Sequence, residues 1–264
     1  MFFFGFFVIL HQILREVKKI ITILICVCQC IAAHAYTVAI DAGHGGKDPG
    51  ALGFYSKEKT VNLAVALELG RLIEQNCKDT KVLYTRKTDV FVELDERAQI
   101  ANRAKADLFI SIHANSTPQG RKGTRKSGAE TYTLGMHRAA ENLEVAKREN
   151  TVITLESNFE KKYEGFDPKS SESYIIFELM QDQNMAASVS FAKEIQKQFR
   201  NTAKRPDNGV KQAGLLVLAR TSMPAVLVEL GYINNAAEEK YMNSKQGISA
   251  LAKSIYNAFV EYKK

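Results

Sequence analysis

Cysteine is scarce in this 264-residue sequence, and only Cys77 lies outside the first 35 residues. The chain after residue 35 therefore cannot form an internal disulfide and must rely on an ordinary hydrophobic core. We also find no internal repeat and no low-complexity tract. No Arg/Lys-rich helix or basic stretch interleaved with aromatic residues is present, so we expect no nucleic-acid partner.

The N-terminal region lacks an apolar run long enough to cross a membrane. Residues 20–31 are apolar, but they are fewer than the ~20 that a span needs. A charged cluster at residues 15–19 precedes them, and Ala33-His34-Ala35 follows as a small-x-small cleavage site. This order predicts a signal peptide over residues 1–35, export to the periplasm or cell envelope, and no stable membrane span after cleavage. The apolar block at residues 1–10 leaves two alternatives, a translation start further downstream or an uncleaved anchor.

The charge balance excludes a strongly acidic protein. The formal net charge is +7. Such a modest basic excess is compatible with polyanionic surroundings such as an acidic wall polymer, and equally with a simple solubility setting.

Strand-like and helix-like segments alternate after residue 35, which predicts an α/β fold. We expect a single domain with a mostly parallel twisted sheet flanked by helices. The predicted strands are residues 36–41, 81–85, 108–112, 130–134, 215–218 and 225–229, and the predicted helices are residues 60–76, 94–105, 188–200, 237–242 and 248–262, with Ser56 as a possible N-cap of the first. A strongly polar stretch at residues 141–183 interrupts the alternation, and so long a connection is usually functional or disordered.

Three of the apolar runs end in side chains that bind metals or move protons. The first is followed by His44 between glycines, the second ends in His113, and the third ends in Glu229. Strand ends at one edge of an α/β sheet build binding sites, so these three residues predict a metal centre with its catalytic carboxylate. Each alone is more simply a core or loop residue, but the set of three argues against that interpretation.

A third metal ligand near His44 has three candidates, Asp41, Asp48 and Glu58. Asp41 precedes the turn and is better placed to cap the loop or to orient His44. Glu58 is as consistent with an acidic residue at a helix N-terminus as with a ligand. Among the other histidines, His137 has no strand leading into it and is interpreted as a surface or supporting residue.

The ordered motifs resemble those of the zinc-dependent N-acetylmuramoyl-L-alanine amidases, the type 3 amidase family. The similarity covers roughly residues 36–262 and rests on four segments: Asp41-Ala-Gly-His-Gly-Gly-Lys-Asp-Pro-Gly50, Lys57-Glu-Lys59 with Asn62-Leu-Ala64, Phe109-Ile-Ser-Ile-His-Ala-Asn115, and Pro224-Ala-Val-Leu-Val-Glu-Leu-Gly-Tyr-Ile-Asn234. Thr85-Arg86, Asp89, Leu94, Arg97 and Ala101-Asn102 add to it.

The resemblance implies one zinc ion bound by His44, Glu58 and His113, with Glu229 as the catalytic carboxylate. It implies that residues 36–264 form a catalytic domain without a separate wall-binding domain. This domain would cut peptidoglycan between N-acetylmuramic acid and L-alanine, with a zinc-bound water as nucleophile. The cellular role implied is cell separation. Two alternatives remain: a zinc peptidase acting within the stem peptide, and a non-catalytic wall-binding protein.

The polar stretch at residues 141–183 matches the position of a regulatory insert in the cell-division amidases of this family. The resemblance implies that a helix there blocks the site until a protein activator displaces it. We hypothesise that an acidic residue, Glu149 or Glu156, occupies the open zinc position. The alternative is a solvated surface excursion.

Overall fold

A computed structural model describes residues 11–19, 35–117, 123–136, 139–179 and 183–264. The chain divides into two compact units, Met1–Ala35 and Tyr36–Lys264. Residues 11–19 of the first unit form a helix, α1. The apolar segment of the predicted signal peptide and residues 33–34 of its cleavage site lie outside the described residues. None of the helices in the described ranges has the length and apolar character of a membrane span.

The second unit is built on one six-stranded sheet. Its strands are β1 (Tyr36–Ala42), β2 (Thr80–Tyr84), β3 (Leu108–Asn115), β4 (Ala129–Leu134), β5 (Asp207–Ala213) and β6 (Ala225–Tyr232). The order across the sheet is β2-β1-β3-β6-β4-β5. Neighbouring strands run parallel except β4 and β6, which are antiparallel. The predicted α/β class with a mostly parallel sheet is confirmed.

Helices cover both faces of this sheet. They are α2 (Glu58–Asn76), α3 (Leu94–Arg103), α4 (Ala140–Asn150), α5 (Phe159–Lys162), α6 (Ile176–Leu179), α7 (Met185–Asn201), α8 (Leu216–Ala219), α9 (Ala236–Met242) and α10 (Lys245–Lys263). The predicted helices near residues 60–76, 94–105, 188–200, 237–242 and 248–262 are confirmed within a few residues. Ser56 is not the N-cap of α2, because that position is Lys57 and the Ser56 hydroxyl instead donates to Glu239.

Alternate residues of the buried strands pack into two separate hydrophobic cores. Val38 and Ile40 of β1 belong to the first core, which packs β1, β3 and β6 against α2, α7 and α10. Ala39, between them, belongs to the second core, which lies against α3, α8 and residues 143–177. This division follows from the period of two along a strand, which sends successive side chains to opposite faces.

One sequence prediction is wrong: residues 215–218 are not a strand. They lie mostly within helix α8, and the strand of this region is β5, just before it. A short apolar run does not distinguish a buried strand from a buried helical turn. β5 has a polar sequence and is mostly half-buried at the edge of the sheet, so it carries no strong apolar signal.

The polar stretch from residue 141 packs against the protein rather than extending into solvent. Ala146, Ile153 and Tyr174 are fully buried, and all three belong to the second core. Apart from α4, α5 and α6, its regular structure consists of the short 3₁₀ helices Thr151–Leu155 and Glu172–Ile175. The structure therefore contradicts the alternative of a solvated excursion.

Candidate metal centre

His44 sits in a tight loop just beyond the carboxyl end of β1. Its backbone φ is 62°, which is uncommon for a residue with a side chain and is characteristic of functional sites held by their surroundings. Gly45 and Asp48 close the loop with two backbone hydrogen bonds of 2.9 and 3.1 Å. The Asp48 carboxylate lies 2.7 Å from Nδ1 of His44, which orients the ring and leaves Nε2 for the site.

Two buried arginines hold this loop from below. Arg86 donates to the carbonyl oxygens of Ala42 and Gly43 at 2.8 and 2.9 Å. Arg97 donates to the carbonyl oxygens of Ala42 and His44, each at 2.8 Å. Since a buried carbonyl must be paired, these bonds fix the backbone that presents the imidazole.

His113 approaches His44 from the neighbouring strand β3. The two ring centroids are 4.9 Å apart. A Cβ atom at Gly43 would lie only 2.3 Å from the His113 ring, so glycine is required there for the two strand ends to come this close.

Glu58 is the first residue of α2 and is fully buried between the two histidines. Its Oε1 lies 3.1 Å from Nε2 of His44 and 3.1 Å from Nδ1 of His113. Backbone N–H groups of Ala51 and Ala114 donate to the carboxylate at 2.8 and 3.0 Å. Of the three carboxylates considered from the sequence, Glu58 is the one that joins both imidazoles.

Glu149, on α4, completes this cluster. Its Oε2 is 2.9 Å from Nδ1 of His113 and 3.3 Å from Nε2 of His44. One donor atom from each of His44, Glu58, His113 and Glu149 lies within 4.8 Å of the others, and all four residues are buried. Two imidazoles and two carboxylates form a set of two nitrogen and two oxygen donors that could hold a metal ion.

Glu229 lies beside the cluster on β6, directly opposite His113 in the strand register. It is fully buried, and its Oε2 has no hydrogen-bond partner. Its Oε1 accepts a hydrogen bond of 3.1 Å from Nη2 of Arg148. The same guanidinium also bonds Glu149 and the Ser116 carbonyl oxygen, at 2.9 and 2.8 Å. Arg148 thus connects the carboxylate on β6 with the one on α4.

Electrostatics separate the roles of the buried carboxylates. Burial raises the pKa of Glu229 to about 8, although Arg148 opposes this shift. Burial acts in the same sense on Glu58 and Glu149, but the adjacent histidines overcome it and the pKa of each is lowered. Burial also disfavours the charged form of His113, yet its contacts with Glu149 and Glu58 raise the pKa of that imidazole to about 9.

The other residues considered from the sequence lie outside the cluster. Asp41 accepts hydrogen bonds from Thr85, Ser111 and Arg97, and it is Asp48 that bonds the His44 ring. Glu156 accepts from the backbone of Leu94 and pairs with Lys162. His137 is outside the described residues.

Two cavities lie at the site, and residues of α4 line both of them. A cavity of about 20 Å³ borders His44, His113 and Glu149. This is room for about one water molecule and not for a substrate. A larger cavity of about 470 Å³ lies alongside, lined by Leu52, Asn115 and Tyr232 and by residues of α4 that include Arg148.

Residues 38–261 match the family described as N-acetylmuramoyl-L-alanine amidase. The chain belongs to this family. It is 31% identical over 231 residues to the amidase AmiC of Escherichia coli, covering 85% of this chain and 52% of AmiC, and 30% identical over 228 residues to AmiA of Escherichia coli, covering 75% of AmiA. The chain therefore spans about half the length of AmiC.

The amidase family also provides related solved structures. The catalytic domain of CwlV, the amidase from Bacillus (Paenibacillus) polymyxa, is 31% identical, with a TM-score of 0.62. The alignment covers 86% of this chain and 98% of that domain. AmiC2 of Nostoc punctiforme is 26% identical, with a TM-score of 0.63. These matches agree with the predicted amidase resemblance and with the α/β fold.

Proposed function

We propose that this protein is a zinc-dependent N-acetylmuramoyl-L-alanine amidase that hydrolyses the amide bond between N-acetylmuramic acid and L-alanine in peptidoglycan. The observation that carries the proposal is the convergence of His44, Glu58 and His113 beside the buried carboxylate of Glu229, in a chain of the amidase family.

The donor set fits zinc. Nε2 of His44 is buried and makes no hydrogen bond, although it is aimed at the cluster. Its other nitrogen is held by Asp48, the arrangement that orients metal-binding histidines. We assign His44, Glu58 and His113 as the ligands of a catalytic ion, since such sites use three protein ligands and keep one position open.

Hydrolysis requires a proton to move from a water molecule to the amine that leaves. A bound zinc ion would supply Lewis acidity and lower the pKa of that water to about 7. Glu229 would accept the proton at Oε2, its unpaired oxygen, and donate it to the nitrogen of L-alanine. Glu58, anchored by two backbone N–H groups, and the His44–Asp48 pair would hold the site still while the proton moves.

We further propose that residues 141–183 keep the enzyme inactive until a protein activator moves them. Glu149 occupies the position of a fourth ligand, which closes the site that catalysis needs open. Arg148, the preceding residue, binds Oε1 of Glu229. A single turn of α4 would therefore block both the metal and the catalytic carboxylate. Glu156 has no such position.

Export to the periplasm or cell envelope is part of the proposal. Its support is the sequence of residues 15–35 and the wall substrate of the amidase family. A role in separating daughter cells follows if a division protein supplies the activator.

Mass spectrometry of purified peptidoglycan digested with the zinc-loaded protein and with its Glu149→Ala variant tests the reaction. Free stem peptides that begin at L-alanine, together with peptide-free glycan, are the expected products. Shortened peptides still attached to sugar would show that the protein is a zinc peptidase of the stem peptide and not an amidase. No product from either protein, with binding to the wall retained, would indicate a non-catalytic wall-binding protein.

A further inference from the structure

Three apolar side chains project into solvent from the loop that leads into the metal centre. Leu52, Phe54 and Tyr55 are 56%, 43% and 67% exposed. They lie within residues 52–55, which we call the rim loop and which contain no charged residue. Adjacent exposed apolar side chains of this size often mark an interaction site.

The rim loop is held in place by a buried carboxylate. Glu239 of α9 is fully buried and accepts hydrogen bonds from the backbone N–H groups of Phe54, Tyr55 and Ser56, at 2.8, 3.0 and 2.8 Å. A Cβ atom at Gly53 would lie 2.2 Å from Oε1 of Glu239, so glycine is needed for this approach. The loop is thus ordered in advance with its apolar side chains outward, which lowers the entropic cost of binding.

The rim loop is continuous with the catalytic cleft. Ala51, the residue before it, donates its N–H to Glu58, and the Ala51 carbonyl oxygen accepts from the N–H of Glu58. Leu52 also lines the 470 Å³ cavity next to the metal centre. The rim loop therefore borders the cleft in which a polymer would bind with its scissile bond at the metal centre.

The charged side chains around the cavity indicate whether the stem peptide or the glycan strand lies against the cavity wall. Charged side chains line other parts of the cavity wall, among them Lys126, Glu130 and Lys211. That wall carries charges of both signs, with Lys126 3.1 Å from Glu141 and Lys211 3.0 Å from Glu130. A stem peptide is itself charged, so it suits that wall. The sugar rings of a glycan strand have uncharged faces of C–H groups, which suit the rim loop.

We propose that the rim loop is a docking surface for the glycan strand of peptidoglycan, with sugar rings packed against Tyr55 and Leu52. The inference deepens the proposed function, because it assigns the two sides of the scissile bond to different parts of the cleft. It rests on the wall substrate of that proposal but not on catalysis, since the loop is exposed while Glu149 closes the metal centre.

Binding of the full chain to peptide-free glycan strands of N-acetylglucosamine and N-acetylmuramic acid tests this assignment. These strands contain no scissile amide, so amidase activity does not affect the measurement. We expect Tyr55→Ala to weaken binding about fivefold, as loss of one aromatic contact does, and Tyr55→Phe to retain it. Leu52→Ala combined with Tyr55→Ala should weaken it further.

Leu67→Ala, which removes a 36% exposed leucine from α2, is the matched control and should bind like the unchanged protein. Thermal melts of all variants check the fold. Unchanged binding by the double variant, or no binding by the unchanged protein, would overturn the assignment. The assignment would also be overturned if the variants lost affinity only for isolated stem peptides and not for glycan strands. Failure of the amidase assay with glycan binding intact would overturn the proposed reaction and leave this assignment standing.

Discussion

The two sides of the metal centre are built differently. On one side, His44 follows the end of β1, and His113 and Glu229 lie on β3 and β6; these are three neighbouring strands in the middle of the sheet. On the other side, Arg148 and Glu149 are consecutive residues of one helix. Groups that must keep a fixed geometry are placed on separate rigid strands, whereas groups placed on one helix can enter or leave the site together.

The difference extends to how each side is held. The strand side is held by the hydrogen bonds of the sheet and by the buried hydrogen bonds that Arg86 and Arg97 donate to backbone carbonyl oxygens. The helix side rests on packing in the second core and on buried amides such as that of Asn150, which donates to the Gly214 carbonyl oxygen at 2.7 Å and accepts from the N–H of Leu216 at 2.9 Å. Moving α4 out of the site must therefore break these buried contacts as well as the contacts that Arg148 and Glu149 make there.

The strand side should carry the largest effect on rate. Glu229→Gln removes the proton acceptor but keeps the shape, and we expect the rate of stem-peptide release to fall by about 10²- to 10⁴-fold with zinc content unchanged. Glu229→Ala should behave alike. Elemental analysis and product release by mass spectrometry measure the two quantities. A variant that turns over normally would remove Glu229 from its assigned role.

His113→Ala should abolish stoichiometric zinc binding in competition with a chelator, because it leaves one imidazole with the carboxylates of Glu58 and Glu149. Metal content after dialysis measures this. Asn76→Ala, an exposed change at the end of α2, is the control and should bind a full equivalent. Full metal occupancy in His113→Ala would exclude the histidine as a ligand.

The helix side should act in the opposite direction. Glu149→Ala opens the fourth position and should raise basal activity by about tenfold or more. Glu156→Ala, in the same insert but bonded to Leu94 and Lys162, should not raise it. Equal activation by both variants would mean that loosening of the insert, and not release of the metal site, causes the effect.

The smallest expected change is one of stability. Asn150→Ala leaves the Gly214 carbonyl oxygen and the Leu216 N–H without their buried partner, at a cost of about 1–3 kcal/mol. Urea unfolding measures it. If the helix side opens as a unit, the same variant should also show raised basal activity. Lower stability with unchanged basal activity would mean that weaker packing of the insert does not release the site.

Much of the strand side could be predicted from sequence, because each apolar run ends in its functional residue. His44, His113 and Glu229 carry that signal themselves. Glu58 does not, since the same residue type also suits a helix N-terminus, and only the family resemblance favoured it as a ligand. The structure adds its position between both imidazoles.

The helix side was less predictable. Arg148 lies 81 residues from Glu229 in sequence, and no local pattern links the two residues. The acidity of the insert suggested Glu149 and Glu156 equally, and only the packing of α4 distinguishes them. The sequence offers Asp48 as a candidate ligand, whereas the loop conformation places its carboxylate against Nδ1 of His44. The edge strand β5 is polar and has no apolar run, so the sequence does not predict it.

The division of the interior into two cores has a consequence for evolution. Strands β1, β3 and β6 contribute alternate residues to each core, so substitutions on the face that carries the insert need not disturb α2, α7 and α10 on the opposite face. Selection can therefore exchange the insert for a different one while the strand register that aligns the reactive residues is inherited intact. Under the proposed autoinhibition, an exchanged insert would change which activator is needed and leave the reactive residues as they are.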